Sequence, residues 1–153
     1  MNISLRVKNL VKKYDTCNPY QLAKELHIDI YELDLPSSIR GFFIRPRRRK
    51  SIVINSNMSE AEKLVAVAHE IGHARLHKGY GMLMKANLPY FRSTKREAEA
   101  NEFAAHLLSY DHDFDVNKMQ QVIQKQKPDT KYIHNYLTGV IYSDIIPCKI
   151  CHP

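Results

Sequence analysis

The chain has 153 residues, which suits one compact domain. Apolar residues make up 44% and charged residues 25%, which excludes a disordered chain. No run approaches the ~20 apolar residues that a membrane-spanning helix needs. The net charge is +7, and residues 1–50 carry 11 Lys/Arg against 5 Asp/Glu, so +6 of it sits there. That asymmetry admits an acidic partner or nucleic acid, beside the plainer reading of a basic solvated surface.

In chain order, residues 3–13 read as a short basic helix. Asn18-Pro19 reads as an N-cap followed by proline at the first helical position, opening a helix to about Leu26. Residues 28–35 alternate loosely and predict a strand ending at Pro36. A hairpin follows over 41–55: Gly41-Phe-Phe-Ile-Arg45, a basic turn, and Ser51-Ile-Val-Ile-Asn55, whose β-branched run favours a strand. Ser59 and Glu62 form a capping box that starts a helix at Glu60, with Gly79 as its natural stop, so the expected helix covers 60–78. Residues 80–93 read as a loop. A second long helix is expected over 94–109, then helices over 116–126 and 130–142 and a flexible tail over 143–153. The fold class expected is α+β, a small sheet followed mostly by helices, in a single domain over 1–153.

The chemistry concentrates on the helix at 60–78. His69-Glu-Ile-Gly-His73 matches H-E-x-x-H. Residues four apart on a helix lie about 40° apart around it and one turn apart along it, so both imidazoles can reach one ion at about 2.0–2.1 Å. Glu70 lies on the same half of the helix and can approach water on the metal as a general base. Leu64, Val67, Ile71 and Ala74 fall on the opposite side, which predicts one core face and one polar face. Gly72 would let another element approach closely. His77 follows His73 by four, so a His73–His77 pair is also geometrically possible. Ligands at i, i+4 and i+8 are not, because they span roughly 12 Å of helix. The His69–His73 choice keeps Glu70 beside the open position, and His77 is then a polar neighbour of the site. The longer pattern that continues with Gly and His is not met, since Leu76 and Gly79 stand there.

A catalytic zinc usually has three protein ligands and a water. The next helix offers Glu97, Glu99 and Glu102. On a wheel, Glu97 falls among Ala100, Ala104, Leu107 and Leu108, whereas Glu99, Glu102 and His106 fall on the polar side. A carboxylate on an apolar face needs a partner, either zinc or a structural Arg or Lys. Asn101, beside Glu97, is placed to hydrogen-bond a ligand histidine.

The combination of His69-Glu-Ile-Gly-His73 with Glu97-Ala-Glu-Ala-Asn101-Glu-Phe-Ala-Ala resembles the ImmA/IrrE family of metallopeptidases, over about residues 38–110. That family has H-E-x-G-H and then an E-x-x-A-N-x-F-A helix. The resemblance implies a small zincin-like domain, Zn2+ on His69, His73 and Glu97, and Glu70 as catalytic acid/base. It implies an anti-repressor of a phage or mobile element, a zinc endopeptidase that cleaves a helix-turn-helix repressor; the expected compartment, the cytoplasm, comes from the N-terminus, which lacks an apolar signal core. Where many relatives continue Leu-Leu-Met-Pro, this chain has Leu107-Leu-Ser-Tyr110, which bears on the wall near the site.

Other signals are weaker. Tyr80, Tyr90, Tyr110 and His106 are oxyanion-stabilising candidates by type, although His106 faces away on the wheel. An extended substrate could add as a strand to an exposed edge of the hairpin 41–55. The basic turn Arg45–Lys50 suits an acidic protein surface or phosphates; DNA binding is the lesser reading, because no helix-turn-helix or aromatic-basic platform accompanies it. Cys148-Lys-Ile-Cys151-His152 matches a haem-attachment motif that requires export, and the N-terminus Met1-Asn-Ile-Ser-Leu-Arg shows no signal core. The three cysteines, Cys17, Cys148 and Cys151, do not describe a disulfide framework. Asp111-His-Asp-Phe-Asp115 opens like a calcium loop, but Val116 and Val122 replace its glycine and glutamate. The competing function is a zinc-fold regulator that binds protein or DNA without proteolysis. A zinc hydrolase of a non-peptide substrate is a third.

Overall fold

In the computed structural model, residues 1–37, 39–44, 49–77 and 94–111 are described. Among them the order is α1 (Ile3–Tyr14), α2 (Pro19–Glu25), β1 (Asp29–Leu33), β2 (Gly41–Ile44), β3 (Ser51–Asn55), α3 (Glu60–Leu76) and α4 (Thr94–Leu108). The fold is α+β, consistent with a small zincin-like domain. The expected helices at 116–126 and 130–142, the loop 80–93, most of the basic turn and the cysteine tail lie outside the described residues.

Local chemistry explains the helix starts. Asn2 Oδ1 accepts from Leu5 N–H at 3.0 Å, and Asn18 Oδ1 accepts from Tyr20 and Gln21 N–H at 2.9 and 3.3 Å, with Pro19 in the first turn. Ser59 Oγ accepts from Glu62 N–H at 3.2 Å, the forward half of the capping box. α3 stops at Leu76 with His77 as C-cap, two residues short of the expected end.

The sheet is mixed, in the order β1-β3-β2 among the described residues. β2 and β3 pair antiparallel, with Phe42 opposite Val53, as the hairpin reading requires. β1 pairs parallel with β3, with Tyr31 opposite Val53. The chain therefore crosses from one edge of the sheet to the other between β1 and β2. Asn55, at the end of β3 and 2% exposed, holds that crossing. Its Nδ2 donates to the carbonyls of Leu35, Pro36 and Ile39 at 3.0–3.1 Å. The Pro36 carbonyl also accepts from Ile39 N–H at 2.9 Å, so Asn55 and this turn together pair the backbone acceptors of the crossing.

α3 packs on β2 and β3 on one side and on α4 on another; α1 packs on α4, and α2 on α3 and β1. Ile30, Ile52, Ile54 and Phe43 join Val65, Val67, Ala68, Ile71, Phe103, Ala104 and Leu107 in one core. The face of α3 that carries His69, Glu70 and His73 is enclosed too: every residue from Val65 to His73 is buried, because the sheet covers one side and α4 another. β2 ends the sheet order among the described residues, and all four of its residues are buried.

Candidate metal centre

Because every residue of α3 from Val65 to His73 is buried, the polar residues of that stretch sit inside the molecule. His69 and His73 are each 2% exposed and Glu70 is 1%. Burial of three ionisable groups demands compensation. One turn of helix brings His69 Nε2 to 3.1 Å from His73 Nε2, with the rings edge to face. α4 supplies the third group. Glu97 Oε2 lies 3.0 Å from His69 Nε2, and Glu97 Oε1 lies 3.0 Å from His73 Nε2. Glu97 is half-buried, with 27% of its side chain exposed, rather than fully enclosed as its wheel position suggested.

Gly72 makes this approach of α4 possible. A Cβ there would come within 3.1 Å of Phe103 Cβ and 3.2 Å of Ala100 Cα. The close approach anticipated for Gly72 is that of α4.

The donor set fits a zinc ion. Ligands at the corners of a tetrahedron around zinc stand about 3.3 Å apart, close to the 3.0–3.1 Å separations of the two nitrogens and the carboxylate oxygens. Lone pairs and anionic oxygens aimed at one point repel one another unless a cation or proton lies between them. His69, Glu70 and His73 also each place one ligand atom within 4.8 Å of the others. Glu97 is nevertheless the better third donor than Glu70, whose Oε2 stands back at 3.9 Å from His69 Nε2. That setback leaves Glu70 beside the three-residue cluster rather than within it.

Around the cluster, His77 is 9% exposed. Its Nδ1 lies 3.2 Å from His73 Nδ1, and its Nε2 lies 3.4 Å from Glu99 Oε1. Burial holds the His77 pKa below the ordinary histidine value, against the opposing pull of Glu99. Glu99 therefore does not belong to the solvent side of α4 with Glu102 and His106. His77 has left the helical path at the C-cap (φ −121°, ψ 68°) and reaches it there, a displacement that a wheel of α4 does not contain. His106 and Glu102 remain on the outer side, 3.9 Å apart and half-exposed.

The hydrogen bond expected from Asn101 to a ligand histidine is not made. Asn101 Oδ1 and His69 Nδ1 are both buried and have no hydrogen-bond partner among the described residues. Of the oxyanion candidates, Tyr110 is exposed just beyond α4, and Tyr80 and Tyr90 lie outside the described residues.

Fold and cluster together define a small zincin-like domain in which a H-E-x-x-H helix and a glutamate of the following helix share one point. The family model Peptidase_M78, described as the IrrE N-terminal-like domain, matches residues 23–131, and the chain belongs to this family. It is 42% identical over 112 residues to "Uncharacterized immunity region protein 2" of Bacillus phage phi105, covering 69% of this chain and 67% of that one. It is 27% identical over 109 residues to "Metallopeptidase ImmA" of Bacillus subtilis (strain 168), covering 71% of this chain and 64% of that one. The chain thus matches about two thirds of the length of these relatives. No solved structure matches it significantly. No helix among the described residues is long and apolar enough to cross a membrane.

Proposed function

We propose that this protein is a zinc-dependent endopeptidase that cleaves a protein substrate at a specific site, with His69, His73 and Glu97 as metal ligands and Glu70 as general base. The observation that carries the reading is the convergence of two buried imidazole nitrogens and both oxygens of Glu97 within 3.0–3.1 Å, with the Glu70 carboxylate beside them. Bound zinc supplies a Lewis acid that polarises the scissile carbonyl and lowers the pKa of water toward ~7. Glu70 accepts the proton of the attacking water at its carboxylate and delivers it to the leaving amine. Its 1% exposure keeps bulk water away from that transfer.

A helix-turn-helix repressor of a phage or mobile element is the proposed substrate. The family resemblance supports it, as does the similarity to an immunity region protein of a phage. The basic turn Arg45–Lys50 is the proposed contact for an acidic surface of that substrate; Arg49 already pairs with Asp29, Nε to Oδ2 at 2.6 Å. The reaction takes place in the cytoplasm, where such repressors work. A regulator that only binds its target has no use for a buried carboxylate beside the ligand set, and Glu70 favours hydrolysis. The test is metal analysis joined to cleavage of a candidate repressor. About one zinc per chain is expected, and cleavage should stop with a chelator and return on adding zinc. Cleavage that continues in the chelator after all metal is gone would contradict the proposal.

A further inference from the structure

The second ring nitrogen of His73 meets another titratable side chain, His77, and that side chain meets a third, Glu99. We infer that His77 and Glu99 form a positioning pair that fixes the ring and tautomer of His73. The inference rests on the proposed metal site and adds the groups behind one of its ligands.

His73 Nε2 faces His69 Nε2 at 3.1 Å and Glu97 Oε1 at 3.0 Å. A metal-binding nitrogen must present a lone pair, so the ring proton of neutral His73 belongs on Nδ1. That Nδ1 lies 3.2 Å from His77 Nδ1. His77 Nδ1 must then accept, and the proton of neutral His77 belongs on its Nε2. That nitrogen lies 3.4 Å from Glu99 Oε1, a carboxylate that only accepts. Every group from His73 to Glu99 thus finds its one compatible role, and the order ends on a negative charge. A ligand imidazole that donates its other N–H in this way is a stronger and better-oriented ligand.

The arrangement spans both packed helices. His77 sits at the C-cap of α3, where its N–H donates to the carbonyl of His73 at 3.0 Å, so the backbone also ties the two residues together. Glu99 sits two residues from Glu97 on α4. The two glutamates therefore hold His73 from opposite ends: Glu97 meets Nε2 directly, and Glu99 acts on Nδ1 through His77. His69 is built differently, with a buried Nδ1 that has no hydrogen-bond partner among the described residues.

Two readouts test the pair on the full chain. The first is zinc affinity by competition with a chromogenic chelator. His77→Leu should weaken it about 10–100-fold while still taking up one zinc at saturation. His77→Asn keeps an acceptor near the Nδ1 position and should recover most of the loss. Glu99→Ala, at a more exposed position, should weaken affinity in the same direction and guards against a folding defect in His77→Leu. The second readout is the His73 Nδ1–H proton by ¹⁵N-edited imidazole NMR on the zinc-loaded parent, which needs no activity. A downfield, hydrogen-bonded Nδ1–H is expected, moving upfield in His77→Leu. Parent-like affinity in both His77→Leu and Glu99→Ala, or an Nδ1–H resonance unchanged in His77→Leu, would overturn the pair. If the parent binds zinc, His73→Ala loses it and His77→Leu is unchanged, only the pair fails. If His73→Ala keeps parent affinity, the metal site and the pair fail together.

Discussion

Two glutamates two positions apart on one helix end at different histidines. Glu97 reaches His69 and His73, and Glu99 reaches His77. Among the described residues Glu102 reaches neither; it lies 3.9 Å from His106. This sorting predicts metal content. Glu97→Ala should lose most of the zinc, as should His69→Ala and His73→Ala, whereas Glu102→Ala should keep one zinc per chain; elemental analysis of the purified variants reads it. Full zinc in Glu97→Ala would contradict the assignment. The histidine pair was legible because i, i+4 spacing is a property of one helix and needs no tertiary knowledge. Glu97 was legible because a carboxylate among Ala100, Ala104, Leu107 and Leu108 signals a buried partner. The roles of Glu99 and His77 were hidden. They depend on where α3 leaves its axis, at the C-cap geometry of His77, which spacing does not encode.

At the scale of elements, the site is a property of the α3–α4 contact. Ala100 Cα and Phe103 Cβ would lie 3.1–3.2 Å from a Cβ at position 72. Gly72→Ala should therefore push α4 outward by a few tenths of an ångström. Overpacking of this kind costs about 1–3 kcal/mol, and the same displacement carries Glu97 away from the histidines. Denaturant unfolding should show the destabilisation, and chelator competition should show weaker zinc binding in the same variant. Unchanged values for both would mean that the contact is looser than its geometry.

The start of α3 is held separately. Burial raises the Glu62 pKa, but the hydrogen bond and charge of Arg40 and the hydrogen bonds from Ser59 outweigh it, leaving the carboxyl below its ordinary 4.5. A lowered folded pKa means that the unfolded chain binds the proton more readily. The stabilisation is therefore complete above 4.5 and is lost as pH falls through the folded value. Urea unfolding of the metal-free protein from about pH 7 to about pH 3 should show the parent's advantage over Glu62→Gln shrinking below the ordinary value. A difference constant across that range would contradict the account. The caps Asn18, Ser59 and Glu62 were readable from sequence because capping is local chemistry. Burial on every side of Val65–His73 was not, because the sheet and α4 lie on different sides of α3, and a hydrophobic stripe reveals only the side lined by apolar groups.

At the scale of the whole molecule, the hairpin 41–55 and the α+β class followed from β-branched runs and capping signals. The parallel pairing of β1 with β3 did not. It depends on Asn55 holding the crossing chain through three carbonyls, and a lone asparagine at a strand end carries no sequence mark of that task. Burial of β2 likewise comes from tertiary packing that its four residues do not announce.

The whole account places zinc on one set of residues and proton transfer on another, and Glu70→Gln separates them. The substitution keeps size and leaves His69, His73 and Glu97 untouched, so folding and zinc content should match the parent. Peptide hydrolysis should fall by about 10²–10⁴-fold, the usual contribution of a positioned acid/base. The decisive measurement is the cleavage rate of the proposed repressor substrate by zinc-loaded Glu70→Gln beside the parent, with binding of the intact substrate followed in parallel. The account predicts binding without cleavage, and a folded protein that has lost its regulatory effect in cells. A zinc-loaded Glu70→Gln protein that cleaves at the parent rate, or that regulates fully without cleaving, would contradict it.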